Sequence, residues 1–216
     1  MKKSLALGVS ATLSLLAASP GTALAQSSPA FAAGDVLVHL RAIGVLPENL
    51  SSSISVIGGH VSATNTVTPE VDASYFLTDH LAVEAIAATS RHEVSAHGTA
   101  LGKVDVGSVW VLPPTVTLQY HFSPIGPIIP YAGIGLTVMF FYDSHAAGPV
   151  VTKAGYDTGV GPSLDIGFDY ALGGKWYANM DVKQMFVGTT AHINGAIKAR
   201  TDLDPTVVGA GIGYLF

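Results

Sequence analysis

Between Val106 and Tyr142 the chain carries no Asp, Glu, Lys or Arg, yet the stretch is punctuated by Pro113, Pro114, Pro124, Pro127 and Pro130 and by Gly126, Gly133 and Gly135. An uncharged run of this length invites a transmembrane helix. The prolines forbid it, because each interior proline removes a backbone hydrogen bond and clashes with the preceding turn. Apolar surface that cannot cross a bilayer as a helix can cross it only as a closed barrel, in which every backbone group pairs between strands.

The remainder of the chain supports that reading. At 49% hydrophobic and 12% charged residues it is more apolar than a soluble domain usually is. Lys2 and Lys3, an apolar run from Leu5 to Ala18, and Ala23-Leu24-Ala25 form a secretory signal over 1–25, with a second candidate cut after Ala33. The chain is then expected to comprise this signal, an N-terminal periplasmic segment over 26–33 and a barrel over 34–216. Without the two leader lysines, eight basic residues face fifteen acidic ones, a net charge of −7 that disfavours nucleic acid as a partner. There are no cysteines, so an exported chain must be stabilised by something other than disulfides.

Period-two alternation marks eight segments, at about 34–46, 66–76, 80–91, 112–122, 129–142, 158–170, 175–187 and 206–216. The last is representative. Val208, Ala210, Ile212, Tyr214 and Phe216 share an oily face, while Val207, Gly209, Gly211, Gly213 and Leu215 share the other. The segments are joined alternately by short turns, such as Leu77–His80, Ser123–Pro127 and Ala171–Gly174, and by long loops at about 48–65, 93–110, 143–157 and 188–203. Short turns on one rim and long loops on the other are the outer-membrane pattern. Tyr75, Tyr120, Phe122, Tyr170, Trp176, Tyr214 and Phe216 fall near the short-turn rim, where an interfacial aromatic girdle belongs. The predicted fold is therefore all-β: an eight-stranded antiparallel up-and-down transmembrane β-barrel of the bacterial outer membrane, embedded in its lipid.

The blocks GDVLVHLRAIGVLP (34–47), PEVDASYFLTDHLAVEAIAATSRH (69–92), LPPTVTLQYHFSPIGPIIPYAGIGLTVMFF (112–141), KWYANMDVKQMFV (175–187) and DPTVVGAGIGYLF (204–216) resemble the outer-membrane protein W family. The resemblance implies an eight-stranded barrel with a hydrophobic channel that assists small apolar compounds across the outer membrane. It implies no enzyme activity and no cofactor. The C-terminal ending, with Tyr214 and Phe216, is shared by many outer-membrane barrels and reads as the signal for the barrel-assembly machinery.

Placing the N-terminus in the periplasm sorts the inward side chains by height. The lower interior holds His39, Arg41, Asp72, Glu84, Gln119, His121, Asp165, Asp181 and Lys183. An eight-stranded barrel is just wide enough to be filled by side chains, so His39, Arg41, Asp72, Glu84, Asp165, Asp181 and Lys183 are expected to pair with one another as a plug. The upper interior holds Ile43, Ile86, Val111, Met139, Phe141, Met185, Val187 and Val207, which suit the lining of a pocket for small hydrophobic ligands. Two alternatives stand beside that reading: loops fold over these residues, or a bulge shifts the parity. A ligand halted by a charged floor would leave sideways, and Pro113 and Pro114, which cannot donate to the ladder, mark a candidate lateral exit.

Other functions leave fainter traces. His121 with Ser123 lies at the periplasmic rim, and His92, His97 and His145 lack a recognised metal-ligand spacing, so no catalytic or metal residues are assigned. A sealed structural or adhesive barrel working through its loops and a narrow cation-preferring channel remain as alternatives.

Overall fold

The computed structural model describes residues 30–48, 51–55 and 57–216. The expected signal peptide over 1–25 lies outside them, as do residues 26–29. Among the described residues the strands in chain order are β1 Val36–Leu46, β2 Ser51–Ile54, β3 His60–Ala63, β4 Thr66–Phe76, β5 Leu81–Ala88, β6 Ser90–Thr99, β7 Gly102–Leu112 and β8 Thr115–His121. They continue with β9 Ile128–Ala146, β10 Ala154–Tyr156, β11 Gly159–Gly173, β12 Trp176–Met185, β13 Gly188–Ile193, β14 Ile197–Asp202 and β15 Thr206–Leu215.

Eight of these close a barrel. The antiparallel ring runs β1-β4-β5-β8-β9-β11-β12-β15 and returns to β1, where the register extends from Leu37↔Leu215 to Leu46↔Thr206. Closure leaves the wall without a free edge, the condition for placing strands in hydrocarbon. The eight alternating segments read from the sequence coincide with these strands to within a few residues.

Parity holds around the whole wall. Leu40, Val116, Ile134, Leu136, Val160, Leu164, Ile166 and Ile212 face outward and exposed, forming the band that meets lipid. Their sequence neighbours His39, Arg41, Thr115, Thr117, Ser163 and Asp165 are buried inside. Trp176 packs edge-on against Tyr214, and Tyr214 against Phe216, at the short-turn rim. Trp110 stacks with Tyr142 at the opposite interface, so aromatic belts bound the apolar band above and below.

The long connections depart from the sequence expectation of loops. They are largely β-structure: β6 and β7 extend the β5–β8 hairpin, β3 adds to β6, and β10-β13-β14-β2 form a separate four-stranded sheet. Their outward positions, such as Glu93 and Asp105, contact water rather than lipid, so the oily half of the alternation that marks a membrane strand is missing from the sequence. The inward half survives. Val61, Val94, Ala96, Val106, Val109, Val151, Ala191, Ile193 and Ala199 are buried and merge with the upper barrel interior into one apolar cluster.

A smaller apolar cluster closes the lower end. Phe31, in the segment expected to be simply periplasmic, is 3% exposed and stacks on Phe76 at 4.3 Å between ring centroids, with His121 and Tyr177 beside it.

Candidate functional site

The lumen is divided by height. Its floor is a buried polar network strung between opposite walls. His39 on β1 meets Asp72 on β4 through Nδ1 at 2.7 Å and Asp169 on β11 through Nε2 at 3.0 Å. Arg41, two residues higher on β1, ion-pairs with Glu70 at 2.8 Å, Asp72 at 2.9 Å, Asp181 at 3.0 Å and Glu84 at 3.4 Å. Its Nη1 also donates to Asn179 Oδ1 at 3.1 Å. Lys183 Nζ donates to Glu84 at 3.1 Å, and Gln119 Nε2 donates to Asp165 at 2.9 Å.

These groups are held by strand register rather than by loops, so little freedom is left to them. All seven residues expected to form the plug are buried in this network. Glu70, Asp169 and Asn179 complete it, although the sequence reading had not placed them in the plug; they share its inward parity, which was the available signal. The bare inward face of β15 has a steric reason. A Cβ at Gly211 would meet the Leu40 carbonyl oxygen and the Arg41 backbone and stem, and one at Gly213 would meet the His39 ring. The neighbouring strand and its bulky Arg41 and His39 side chains occupy space that only glycine leaves open.

Above the floor the chemistry reverses. Ile43, Val111, Met139, Met185, Val187 and Val207 belong to one buried cluster with Phe141 packed against it, and Ile86 is also buried. All of these except Val187 also line an apolar cavity that is partly open to the exterior. Val45, Val61, Val94, Val109 and Leu203 extend its apolar wall toward the outside. Val187 supports the wall from just beyond the end of β12. Loops and cavity thus coexist: the extracellular ribbons roof the apolar residues without filling the space between them. A second apolar hollow lies among those ribbons and shares Val61, Val94 and Ala191 with the first.

Polar groups in the upper cavity are few. Ser90 faces His92 Nε2 at 2.8 Å, and His92 Nδ1 contacts the Thr64 carbonyl at 2.6 Å. Nδ1 must carry the proton to donate there, so Nε2 accepts from Ser90. Burial holds the His92 imidazole below its ordinary value of 6.5, with the bond to Thr64 opposing that shift. His97 stacks on His60 and His145 is exposed, so the three loop histidines considered for a metal are not brought together. Among the described residues no group of three His, Cys, Asp or Glu side chains could hold a metal ion.

Pro113 and Pro114 interrupt the wall beside this cavity, and Pro113 lines it. The β5–β8 ladder ends at Ile86↔Thr115 and the β6–β7 ladder resumes in the same register at Ser90↔Val111. Residues 87–89 therefore face 112–114 without ladder pairing. Thr89 Oγ1 spans part of the gap by donating to the Val111 carbonyl at 3.2 Å. The other side of the proline pair stays closed, where Val138 N–H donates to the Pro114 carbonyl at 3.0 Å.

Comparisons with known proteins agree with this architecture. A family model described as the OmpW family matches residues 32–216. The "Uncharacterized outer-membrane protein y4mB" of Sinorhizobium fredii is 37% identical over 207 residues, covering 92% of this chain and 87% of that protein. The "Dibenzothiophene metabolism operon protein PahQ" of Pseudomonas aeruginosa is 28% identical over 167 residues, covering 74% of this chain and 77% of the relative. Among solved structures, the outer membrane protein OprG from Pseudomonas aeruginosa superposes with a TM-score of 0.76 at 29% identity, covering 86% of this chain and 97% of its own. A closed eight-stranded wall with an oily exterior, short turns on one rim and a sequence matched from residue 32 to its end identifies the chain as a bacterial outer-membrane β-barrel belonging to the OmpW family.

Proposed function

We propose that this barrel assists the passage of small hydrophobic molecules: they enter the apolar upper lumen from outside and leave sideways into the membrane. The observation that carries the reading is the change of chemistry along one lumen, an apolar cavity seated on a floor of paired charges. Burial of hydrocarbon against Met139, Met185, Ile86 and Val111 is favourable, roughly 25 cal/mol per Å² of apolar surface removed from water. Continuing downward would require breaking the ion pairs of Arg41 and Lys183 and leaving charges unpaired in a dry interior.

The route of least cost is therefore lateral. The unpaired segment at Pro113 and Pro114 supports that route, because it lies beside the cavity that Pro113 lines. A relative named for a dibenzothiophene metabolism operon adds a hydrophobic aromatic context to the same family. An ion channel is disfavoured on the same geometry, since Arg41, 2% exposed, spans the lumen between four carboxylates.

The test is uptake of a radiolabelled alkane or aromatic tracer by cells with and without the gene, at matched outer-membrane abundance. Wild-type cells should take up the tracer faster, and Met139→Asp should return uptake to the gene-less level while the purified variant keeps its heat-dependent gel mobility. Equal uptake with and without the gene would defeat the proposal.

A further inference from the structure

Beside the proline pair, closure of the wall falls to side chains. The β4–β5 ladder ends at Glu70↔Ala88 and the β5–β8 ladder at Ile86↔Thr115, so Thr89, between β5 and β6, lies beyond both. Three hydroxyl contacts hold it instead, each from a different strand. Thr68 Oγ1 on β4 donates to its carbonyl at 2.7 Å. Its own Oγ1 donates to the Val111 carbonyl on β7 at 3.2 Å and lies 2.5 Å from Tyr142 Oη on β9. With its one proton given to Val111, Oγ1 accepts from the phenol.

The Tyr142 contact crosses a strand. Val111 faces Ser90 on one side and Phe141 on the other, and Trp110 faces Tyr142, so β7 runs between Thr89 and Tyr142. Tyr142 is exposed on the lipid-facing side with Phe140, and its phenol reaches Thr89 over the outer face of β7, steadied by stacking with Trp110. The gap it spans borders the cavity on both sides: Ala88 and Ser90 line the cavity from one edge, Val111 and Pro113 from the other. A ladder of backbone bonds parts only with the fold, whereas two bonds meeting at one side-chain hydroxyl can release while the flanking hairpins stay paired.

We propose that Thr89 and Tyr142 form the latch of the lateral exit. Their hydroxyls hold the unpaired segment shut across β7, and release of Thr89 from Tyr142 and Val111 joins the cavity to the membrane. This rests on the lateral route given above and names the groups that regulate it. Tyr142 belongs to the outer aromatic belt, where water and lipid headgroups take over its hydroxyl once it swings free, so opening does not strand that donor in hydrocarbon.

The experiment measures uptake of radiolabelled n-octane by cells at matched outer-membrane abundance, together with ¹⁹F spectra of the full chain in lipid nanodiscs with both tryptophans fluorinated. Trp110 touches the strap, and Trp176 at the opposite rim is the reference. Thr89→Val keeps the side-chain shape and deletes the hydroxyl. It and Tyr142→Phe should each raise uptake by about tenfold, the scale of one or two modest hydrogen bonds. Thr89→Val should also move the Trp110 signal, through the released Tyr142 ring, and leave Trp176 in place, while Thr89→Ser should resemble wild type in both readouts. Adding Ala87→Cys and Pro114→Cys and oxidising them to a disulfide across the gap should cancel the gain. Uptake unchanged by Thr89→Val and Tyr142→Phe, or a gain that survives the disulfide, would overturn the latch while leaving the cavity reading in place. Wild-type uptake no greater than that of cells without the gene would defeat the cavity reading and the latch together.

Discussion

Arg41 gathers four carboxylates and an asparagine carbonyl around one guanidinium, and each partner comes from a different position on the wall: Glu70, Asp72, Glu84, Asp181 and Asn179. Its planar fork suits that many acceptors, which a lysine's compact ammonium would not. Removing it would leave Glu70 and Asp181 buried without their ion-pair partner. Arg41→Leu is expected to lower the stability of the folded barrel by about 3–5 kcal/mol, read from the midpoint of urea unfolding in detergent. An unchanged midpoint would mean that the network contributes nothing and that the floor is held by backbone closure alone. Met139, above the floor, plays the opposite part. It offers adaptable apolar surface, and a charge there should stop transport through desolvation without reaching the ladder.

Among the elements, the interrupted hairpin β5-β6/β7-β8 is where structure and transport meet. The preserved register across the gap sets Ala87 opposite Pro114, so the seam can be stapled without shifting either strand. The chain has no cysteine, and an Ala87→Cys, Pro114→Cys variant therefore forms only the intended disulfide. Tracer uptake by this variant should be low when oxidised and should recover on reduction; uptake indifferent to redox state would rule out the seam as the exit. The N-terminal segment forms the other informative element. Phe31 completes the lower apolar cluster with Leu37, Phe76, Ile129 and Tyr177. Phe31→Ala should cost about 3 kcal/mol in the same urea titration, the usual scale for a buried aromatic, and no change would make this ring incidental. Cleavage of the expected signal after Ala25 would retain Phe31 whereas cleavage after Ala33 would discard it, and the intact mass of the purified protein decides between them.

At the scale of the whole molecule, closure of the wall leaves Phe216 at the end of the final strand, 66% exposed. Its N–H donates to the Val36 carbonyl at 2.9 Å, but its side chain adds little to the interior, which suits a residue read by the assembly machinery. Deleting Phe216 should reduce the amount reaching the outer membrane in cells while leaving refolding of the purified chain into detergent unaffected; equal losses in both would make the residue merely structural. Much of this architecture was legible beforehand, because lipid on one side and a filled lumen on the other impose opposite demands on alternate residues. Leu40 against Arg41, or Leu164 against Asp165, states the fold locally. The same parity sorted the lumen into a polar floor and an apolar top. Other features escaped it. The water-facing side of β6 and β7 no longer needed to be oily, so Glu93 and Asp105 made those ribbons look like loops. Asp169 joined the floor only because the register of β11 brought it to His39, and Phe31 became a plug only because the closed barrel offered a hole of the right size. By itself the sequence determined which side of each of the eight barrel strands faces lipid, since that is a local property with period two. The tertiary structure alone decided which inward groups meet, as Arg41 meets Glu84 and His39 meets Asp169, since that outcome depends on distances across the lumen that no local pattern encodes.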